Sequence, residues 1–383
     1  MRAPWLLAVL ASAVIGGATT PAAIAAQTAA SPKIALVNGM RVEWAWRGDS
    51  IEGDYTPSMT VTNVDPSAVT IVSNSYKGKK GGGMERVVLD TKMLRSAMAT
   101  GPIYRQIWIS TDPLVRSGTT TMVLSDAVMN AIMTKGSTPL TIVGEVAGGS
   151  GAMGGLGSLM SALTSDSAAT GTPFKGTVSR VEPGTVPFSV LVNNQHVTLS
   201  AVHIRGILDH DGDKYSSDMM VLADAAFPLV LSHLNTADSK NGRNEGGRVV
   251  SITYPDAGAK KRMEDDLAAK RPLEIYDIYF DYNSAEIKPE SDSVLSQLGS
   301  IMKSHPDWKL RVVGHTDSIG GSGAGNRVLS EKRAAAVKAA LTSRYGVASG
   351  RLDSGGAGDS APLETNATLE GRARNRRVEI IRE

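Results

Sequence analysis

The sequence contains no cysteine. This absence excludes disulfides, thiolate zinc sites, cysteine nucleophiles and a lipidated cysteine anchor. An excess of one charge is also missing, because 40 Lys and Arg oppose 38 Asp and Glu. We therefore expect no nucleic-acid partner, and any ligand must be recognised by local chemistry. A chain of 383 residues is longer than one hydrophobic core usually supports, which favours two domains.

Long apolar runs are scarce beyond the N-terminus. Arg2, the apolar residues 5–15 and the small-x-small pattern at residues 23–25 predict a signal peptide over residues 1–26. An uncleaved membrane anchor is the alternative, because residues 3–31 carry no charge. No later stretch reaches the 18 or so uncharged apolar residues of a spanning helix. We therefore expect an exported protein.

Residues 27–259 have the pattern of a β-rich module. Short strands are predicted at residues 33–37, 59–64, 69–72, 103–109, 140–146 and 188–192. The Gly-, Ala- and Ser-rich residues 144–171 predict a loop that separates two strand-rich lobes. An outer-membrane β-barrel is the alternative, but barrels need aromatic girdles, and residues 27–270 hold only three Trp, five Tyr and three Phe. A soluble module of unknown fold is favoured.

The periodicity becomes regular after a charged connector at residues 260–272. Strands are predicted at residues 274–281, 308–314, 352–358 and 377–381, and helices at residues 290–304, 326–345 and 368–374. Asn326 is the expected N-cap of the second helix, and Gly346 stands where a C-cap glycine belongs. Alternating elements with short connections predict a two-layer α/β sandwich over residues 273–383.

Four motifs occur in order within these residues. They are the run at residues 279–287, Gly314-His315-Thr316-Asp317, Asn326-x-x-Leu329-Ser330-x-x-Arg333-Ala334, and Gly371-Arg372-Ala373-x-Asn375-Arg376-Arg377. The set closely resembles the C-terminal domain of the OmpA family. The resemblance covers under a third of the chain and leaves residues 27–270 unexplained. It implies non-covalent binding of peptidoglycan through the diaminopimelate side chain of the stem peptide.

The chemistry of that ligand suits the residues at the motifs. The free end of diaminopimelate carries an ammonium and a carboxylate on one carbon, so its receptor needs an anionic acceptor and a forked cationic donor. The resemblance implies that Asp317 takes the ammonium and Arg333 the carboxylate. Asn326 and Arg333 lie two turns apart on one helix face. The resemblance also implies that Thr316, Asn326 and Leu329 line the pocket, with Arg376, Asp281 and Asn283 as further candidates.

No pattern supports an enzyme, a metal site or a cofactor. Asp209, Asp211 and Asp213 alternate as in a calcium loop, but Lys214 replaces the required glycine and Met220 the terminal glutamate. The four histidines between residues 196 and 233 have no metal-ligand spacing. We therefore expect no catalytic residues and a binding function.

The prediction is a periplasmic protein associated with the cell wall and outer membrane. Its N-terminal module would contact an outer-membrane or secretion-system protein while the C-terminal domain holds peptidoglycan. One alternative is an outer-membrane barrel or an anchored, stator-like member of the OmpA family. Another is a ligand-binding or hydrolytic N-terminal module that the wall merely localises.

Overall fold

Most described residues of the N-terminal module belong to one sheet. The structure, a computed structural model, describes residues 33–48, 56–78, 84–106, 114–115, 117–144, 173–210, 212–237, 245–256, 258–281, 283–319 and 323–383. The predicted signal peptide lies outside these residues, as does the Gly-rich segment beyond Gly144. Among the helices within the described ranges, none has the length and apolar character needed to cross a membrane.

The part of the N-terminal module that the structure describes forms a sheet of fourteen strands. They are β1 (Arg41–Gly48), β2 (Ser58–Val64), β3 (Ala68–Gly78), β4 (Met84–Leu94), β5 (Ile103–Gln106), β6 (Leu114–Val115), β7 (Thr119–Thr121), β8 (Ser137–Gly144), β9 (Phe174–Arg180), β10 (Val186–Val192), β11 (Gln195–His210), β12 (Asp213–Leu222), β13 (Val230–Ala237) and β14 (Glu245–Thr253). Within the described ranges, two helices, α1 (Arg95–Thr100) and α2 (Asp126–Lys135), interrupt them.

The strand order is β6-β4-β3-β2-β1-β14-β13-β12-β11-β9-β8-β5-β7, with β10 pairing both β11 and β14. Strands β8 and β9 flank the Gly-rich segment and pair antiparallel, with Ile142 opposite Phe174. The strands that flank the segment are therefore neighbours in one sheet, and the division into two lobes at residues 144–171 stays a prediction. The sheet nevertheless carries two separate apolar clusters.

The predicted strand at residues 33–37 is absent from the structure. Ile34 is buried in the larger apolar cluster, but the Ala35 amide donates to the Tyr254 hydroxyl at 2.9 Å instead of to a neighbouring strand. The apolar run at residues 219–234 folds as parts of β12 and β13, which pair antiparallel. In this module a short apolar run predicts that its residues are buried more reliably than it predicts that they pair with a neighbouring strand.

The C-terminal domain alternates strands and helices around a four-stranded mixed sheet. Its elements are α3 (Ala259–Ala268), β15 (Leu273–Ile275), α4 (Asp292–Ser304), β16 (Leu310–His315), α5 (Gly323–Ser343), β17 (Leu352–Gly358), α6 (Leu369–Asn375) and β18 (Val378–Arg382). The strand order is β15-β18-β16-β17, and β16 and β17 are parallel. The charged run predicted as a connector is helical in α3, and its Leu267 lies in the C-terminal core.

Apolar spacing explains how the helices cover this sheet. Val294, Leu298 and Ile301 of α4 are buried in one cluster with Val337 and Leu341 of α5. Helix ends follow their sequence signals as well. The Thr368 hydroxyl accepts from the Gly371 amide at 3.0 Å at the start of α6, and Gly346 adopts φ +72° after α5.

The first strand of this domain is shorter than predicted. Residues 274–281 were expected as one strand, but β15 ends at Ile275. Beyond it the Tyr279 amide donates to the Ser291 hydroxyl at 2.8 Å, and Phe280 forms an isolated antiparallel bridge with Ile287. This segment therefore leaves the sheet and lines the site described next.

Candidate functional site

Asp317 lies just beyond the end of β16, with its carboxylate held in place. The Thr316 amide donates to the Gly358 carbonyl at 2.9 Å and ties this turn to the end of β17. Asp317 Oδ1 accepts from the Ile319 amide at 2.9 Å, and Oδ2 accepts from Arg376 Nη1 at 2.6 Å. The Asp317 side chain is 10 % exposed. A buried carboxylate with two fixed donors has one orientation and keeps lone pairs for a cationic ligand.

Helix α5 approaches the ends of β16 and β17 very closely. A Cβ added to Gly314 would stand 2.2 Å from the Ser330 carbonyl oxygen, and one added to Gly356 would stand 2.4 Å from the Ser330 hydroxyl. Only glycine leaves room for the helix at these positions. The Asn326 side-chain amide donates to the Asp317 backbone carbonyl at 3.1 Å. Asn326 therefore lies inside the first turn of α5, which begins at Gly323, and is not its N-cap as predicted.

Arg333, two turns along α5 from Asn326, points its guanidinium towards the same cavity. Nε donates to the Ser284 carbonyl at 2.9 Å, and the guanidinium lies 5.0 Å from the centre of the Phe280 ring. The described residues give its two terminal nitrogens no hydrogen-bond partner. Burial, together with repulsion from Arg376, lowers the Arg333 pKa to about 10, while Asp317 opposes the shift. Arg333 therefore stays charged at neutral pH with a donor fork available to a ligand.

Two consecutive arginines before β18 have different surroundings. Arg376 pairs with Asp317, and its second terminal nitrogen donates to the Thr56 hydroxyl at 3.4 Å. Arg377 is buried and directs its terminal nitrogens to the Ala361 carbonyl. Burial lowers the Arg377 pKa. Both side chains line the cavity described next, where Arg376 donates to Asp317 and Arg377 donates to the Ala361 carbonyl.

The remaining residues singled out in the sequence line the same cavity, whose volume is about 330 Å³. They are Thr316, Leu329, Asp281 and Asn283. The Thr316 hydroxyl is buried without a hydrogen-bond partner among the described residues. Asp281 Oδ1 lies 3.8 Å from Lys288 Nζ. The fold thus gathers all eight sequence candidates around one concavity, with Asp317 and Arg333 on its lining.

His315 also lies on the cavity lining, but it is built into the strand end. Its Nε2 lies 3.1 Å from Glu379 Oε2, and the ring is 4 % exposed. Burial and the nearby Arg377 lower the His315 pKa, although Glu379 opposes this. Its surroundings are those of a buried, hydrogen-bonded side chain.

Several lining residues were missed by sequence reasoning. Lys288 is buried, and desolvation lowers its pKa to about 8. Arg41 and Glu43 come from β1 and pair at 2.9 Å, and burial raises the Glu43 pKa even though Arg41 opposes the shift. Lys288 directly follows the motif at residues 279–287, so its position in the sequence could have indicated it. Arg41 and Glu43 lie over 200 residues away along the chain, and no local pattern connects them to the site.

Residues 279–376 match the OmpA family. This match confirms the resemblance to the OmpA family that the four motifs predicted for the C-terminal region. Outer membrane porin F of Pseudomonas aeruginosa is 46% identical over 103 residues, which cover 27% of this chain and 29% of that protein. Peptidoglycan-binding protein ArfA of Mycobacterium bovis is 38% identical over 104 residues, which cover 27% of this chain and 31% of that protein.

A solved structure of the peptidoglycan-associated lipoprotein from Burkholderia pseudomallei is also similar. It is 30% identical, with a TM-score of 0.26, over 30% of this chain and 92% of that chain. The chain spans less than a third of the length of the two curated relatives named above. The similarity therefore concerns the C-terminal domain.

Proposed function

We propose that this protein binds peptidoglycan non-covalently through the diaminopimelate side chain of the stem peptide. The observation that carries the proposal is the pairing of opposite chemistries in one cavity. Asp317 offers a fixed carboxylate, and Arg333 offers terminal N–H groups that no described residue accepts. An ammonium and a carboxylate on one carbon fit that pair, because each meets a group of opposite charge.

The charge of the lining favours a ligand with carboxylates. Cationic side chains outnumber carboxylates among the described lining residues. They are Arg41, Lys288, Arg333, Arg374, Arg376 and Arg377, against Glu43, Asp281 and Asp317. A zwitterionic end with a further free carboxylate nearby would therefore bind better than its amidated form. The volume of about 330 Å³ lies at the low end for ligand sites, which suits one residue-sized group.

The proposal extends to the organisation of the whole chain. Residues 1–26 export it, residues 27–259 form the β-rich module, residues 260–272 connect, and residues 273–383 form a two-layer α/β sandwich that holds the wall. Relatives named as an outer membrane porin and as a peptidoglycan-binding protein support an envelope location. The role is a periplasmic, non-enzymatic tether, and the N-terminal module would contact an outer-membrane or secretion-system protein.

Co-sedimentation with diaminopimelate-type sacculi tests the proposal. The full mature chain, without detergent, is expected to pellet with sacculi and to be released by free diaminopimelate. Asp317→Asn and Arg333→Ala are expected to remain in the supernatant, because each removes one half of the charge pair that the zwitterion meets.

Matched controls separate site loss from charge loss. Asp353→Asn and Lys332→Ala make similar charge changes at exposed positions of β17 and α5. Both are expected to pellet like the native chain. If the native chain ignores sacculi while remaining folded, the proposed function is wrong.

A further inference from the structure

The N-terminal module contributes part of the wall of the cavity that contains Asp317 and Arg333. Arg41 and Glu43 of β1 reach this cavity, and so does Thr56 from the segment that precedes β2. None of these residues belongs to the matched OmpA-family domain at residues 279–376. The site of this chain is therefore larger than the family domain alone provides.

Arg376 links this wall to the carboxylate of the site. One terminal nitrogen donates to Asp317 Oδ2 at 2.6 Å, and the other donates to the Thr56 hydroxyl at 3.4 Å across 320 residues of sequence. The Arg376 side chain is 19 % exposed, so it has little freedom to change partners. The direction of the Asp317 carboxylate thus depends on an arginine that Thr56 helps to hold.

Contacts away from Thr56 fix the position of the same wall. The Arg41 guanidinium lies 4.3 Å from the centre of the Tyr279 ring. Elsewhere between the N-terminal module and the C-terminal domain, Asn194 Nδ2 donates to Asp277 Oδ2 at 3.0 Å. Arg248 also pairs with Glu370 at 2.8 Å. Residues 32–383 form one compact unit, so the wall is part of a continuous packed structure.

We propose that the N-terminal module completes the peptidoglycan-binding site, with Thr56 as a positioning residue that acts through Arg376. This inference rests on the proposed function. The wall sets the size of group that enters beside Asp317, and the Thr56 hydroxyl orients the arginine that aligns the carboxylate. A neutral hydrogen-bond acceptor suits this role, because it holds the guanidinium without competing with Asp317 for its charge.

Calorimetric titration of the full chain with a disaccharide tripeptide ending in diaminopimelate tests the inference. Thr56→Val removes the hydroxyl at constant volume and is expected to weaken binding about threefold to tenfold. Thr56→Ser keeps the hydroxyl and is expected to bind within about twofold of the native chain. Thr56→Trp places bulk at the wall and is expected to weaken binding more than about tenfold, since overpacking displaces the wall or the ligand.

Thr62→Trp is the matched control, because Thr62 is exposed on β2 and does not line the cavity. It is expected to bind like the native chain, and thermal unfolding identifies any variant that has lost its fold. Native-like binding by both Thr56→Val and Thr56→Trp overturns this inference alone. Tighter binding by Thr56→Val also overturns it, because the module would then cover the site instead of completing it. Failure of the native chain to bind overturns the proposed function as well.

Discussion

Replacing Gly314 with alanine tests the close approach of α5 to the sheet. The added Cβ would lie 2.2 Å from the Ser330 carbonyl oxygen, whereas ordinary contacts begin near 3.4 Å. The helix must therefore move by about 1 Å, or the strand must bend, because a backbone carbonyl cannot rotate out of the way inside a helix. Overpacking of this kind costs about 1–3 kcal/mol.

Gly355→Ala supplies the reference for this measurement. Gly355 lies on the neighbouring strand β17, and its added Cβ would meet nothing closer than an Arg311 side-chain nitrogen at 3.8 Å. Both substitutions restrict the unfolded chain by a similar amount, about 0.4–1 kcal/mol, so that contribution cancels in the comparison. The difference between the two variants therefore reports the clash with α5.

Urea unfolding of the full chain, followed by circular dichroism, measures the effect. With a slope of about 2 kcal/mol per molar urea, a 2 kcal/mol loss moves the midpoint down by about 1 M relative to Gly355→Ala. Because α5 carries Asn326 and Arg333, the same variant is expected to bind peptidoglycan fragments more weakly. Equal midpoints for the two variants would refute the packing argument.

Three further predictions concern the junction, the cavity and a helix end. Arg248 and Glu370 pair between the N-terminal module and the C-terminal domain, with side chains 27% and 21% exposed. A double-mutant cycle on them is expected to give about 0.5–1 kcal/mol of coupling, and zero coupling would contradict this contact. Because Lys288 has its pKa lowered to about 8, the unfolded state binds more protons above that pH. The free energy of unfolding of the native chain, minus that of Lys288→Met, should therefore rise between about pH 8 and 10.5 in urea titrations at each pH. A difference that does not change with pH would contradict this prediction. Gly346→Ala, at φ +72°, should cost about 1 kcal/mol in the same assay, and no loss would contradict the left-handed cap.

Local patterns were enough for most C-terminal elements. The apolar spacing of α4 and α5 and the signals at Thr368 and Gly346 predicted helices close to those observed. Prediction failed where a residue's partner lies far along the chain. Residues 33–37 are apolar enough for a strand, but the Ala35 amide is satisfied by the Tyr254 hydroxyl. The composition of the Gly-rich segment likewise gives no sign that β8 and β9, which flank it, pair with each other.

The residues of the candidate site likewise differ in whether a local sequence pattern predicts them. Asp317, Asn326 and Arg333 were predictable because each lies in a short motif whose spacing places it on one strand end or helix face. The direct pairing of Asp317 with Arg376 was not, because 59 residues separate the two side chains. Thr56 had no signal at all, since a single threonine before a strand is an ordinary loop residue.

The sequence by itself determined the residue types of the candidate site, the resemblance to the OmpA family and the absence of cysteine chemistry, because residue types and their local spacing carry that information. The tertiary structure alone decided which side chains share the cavity and how charges are held there. It set Arg376 between Asp317 and Thr56, buried Lys288 and Glu43 in the same lining, and joined two modules at one wall. These features depend on long-range packing, which fixes distances and burial between residues that no local pattern connects.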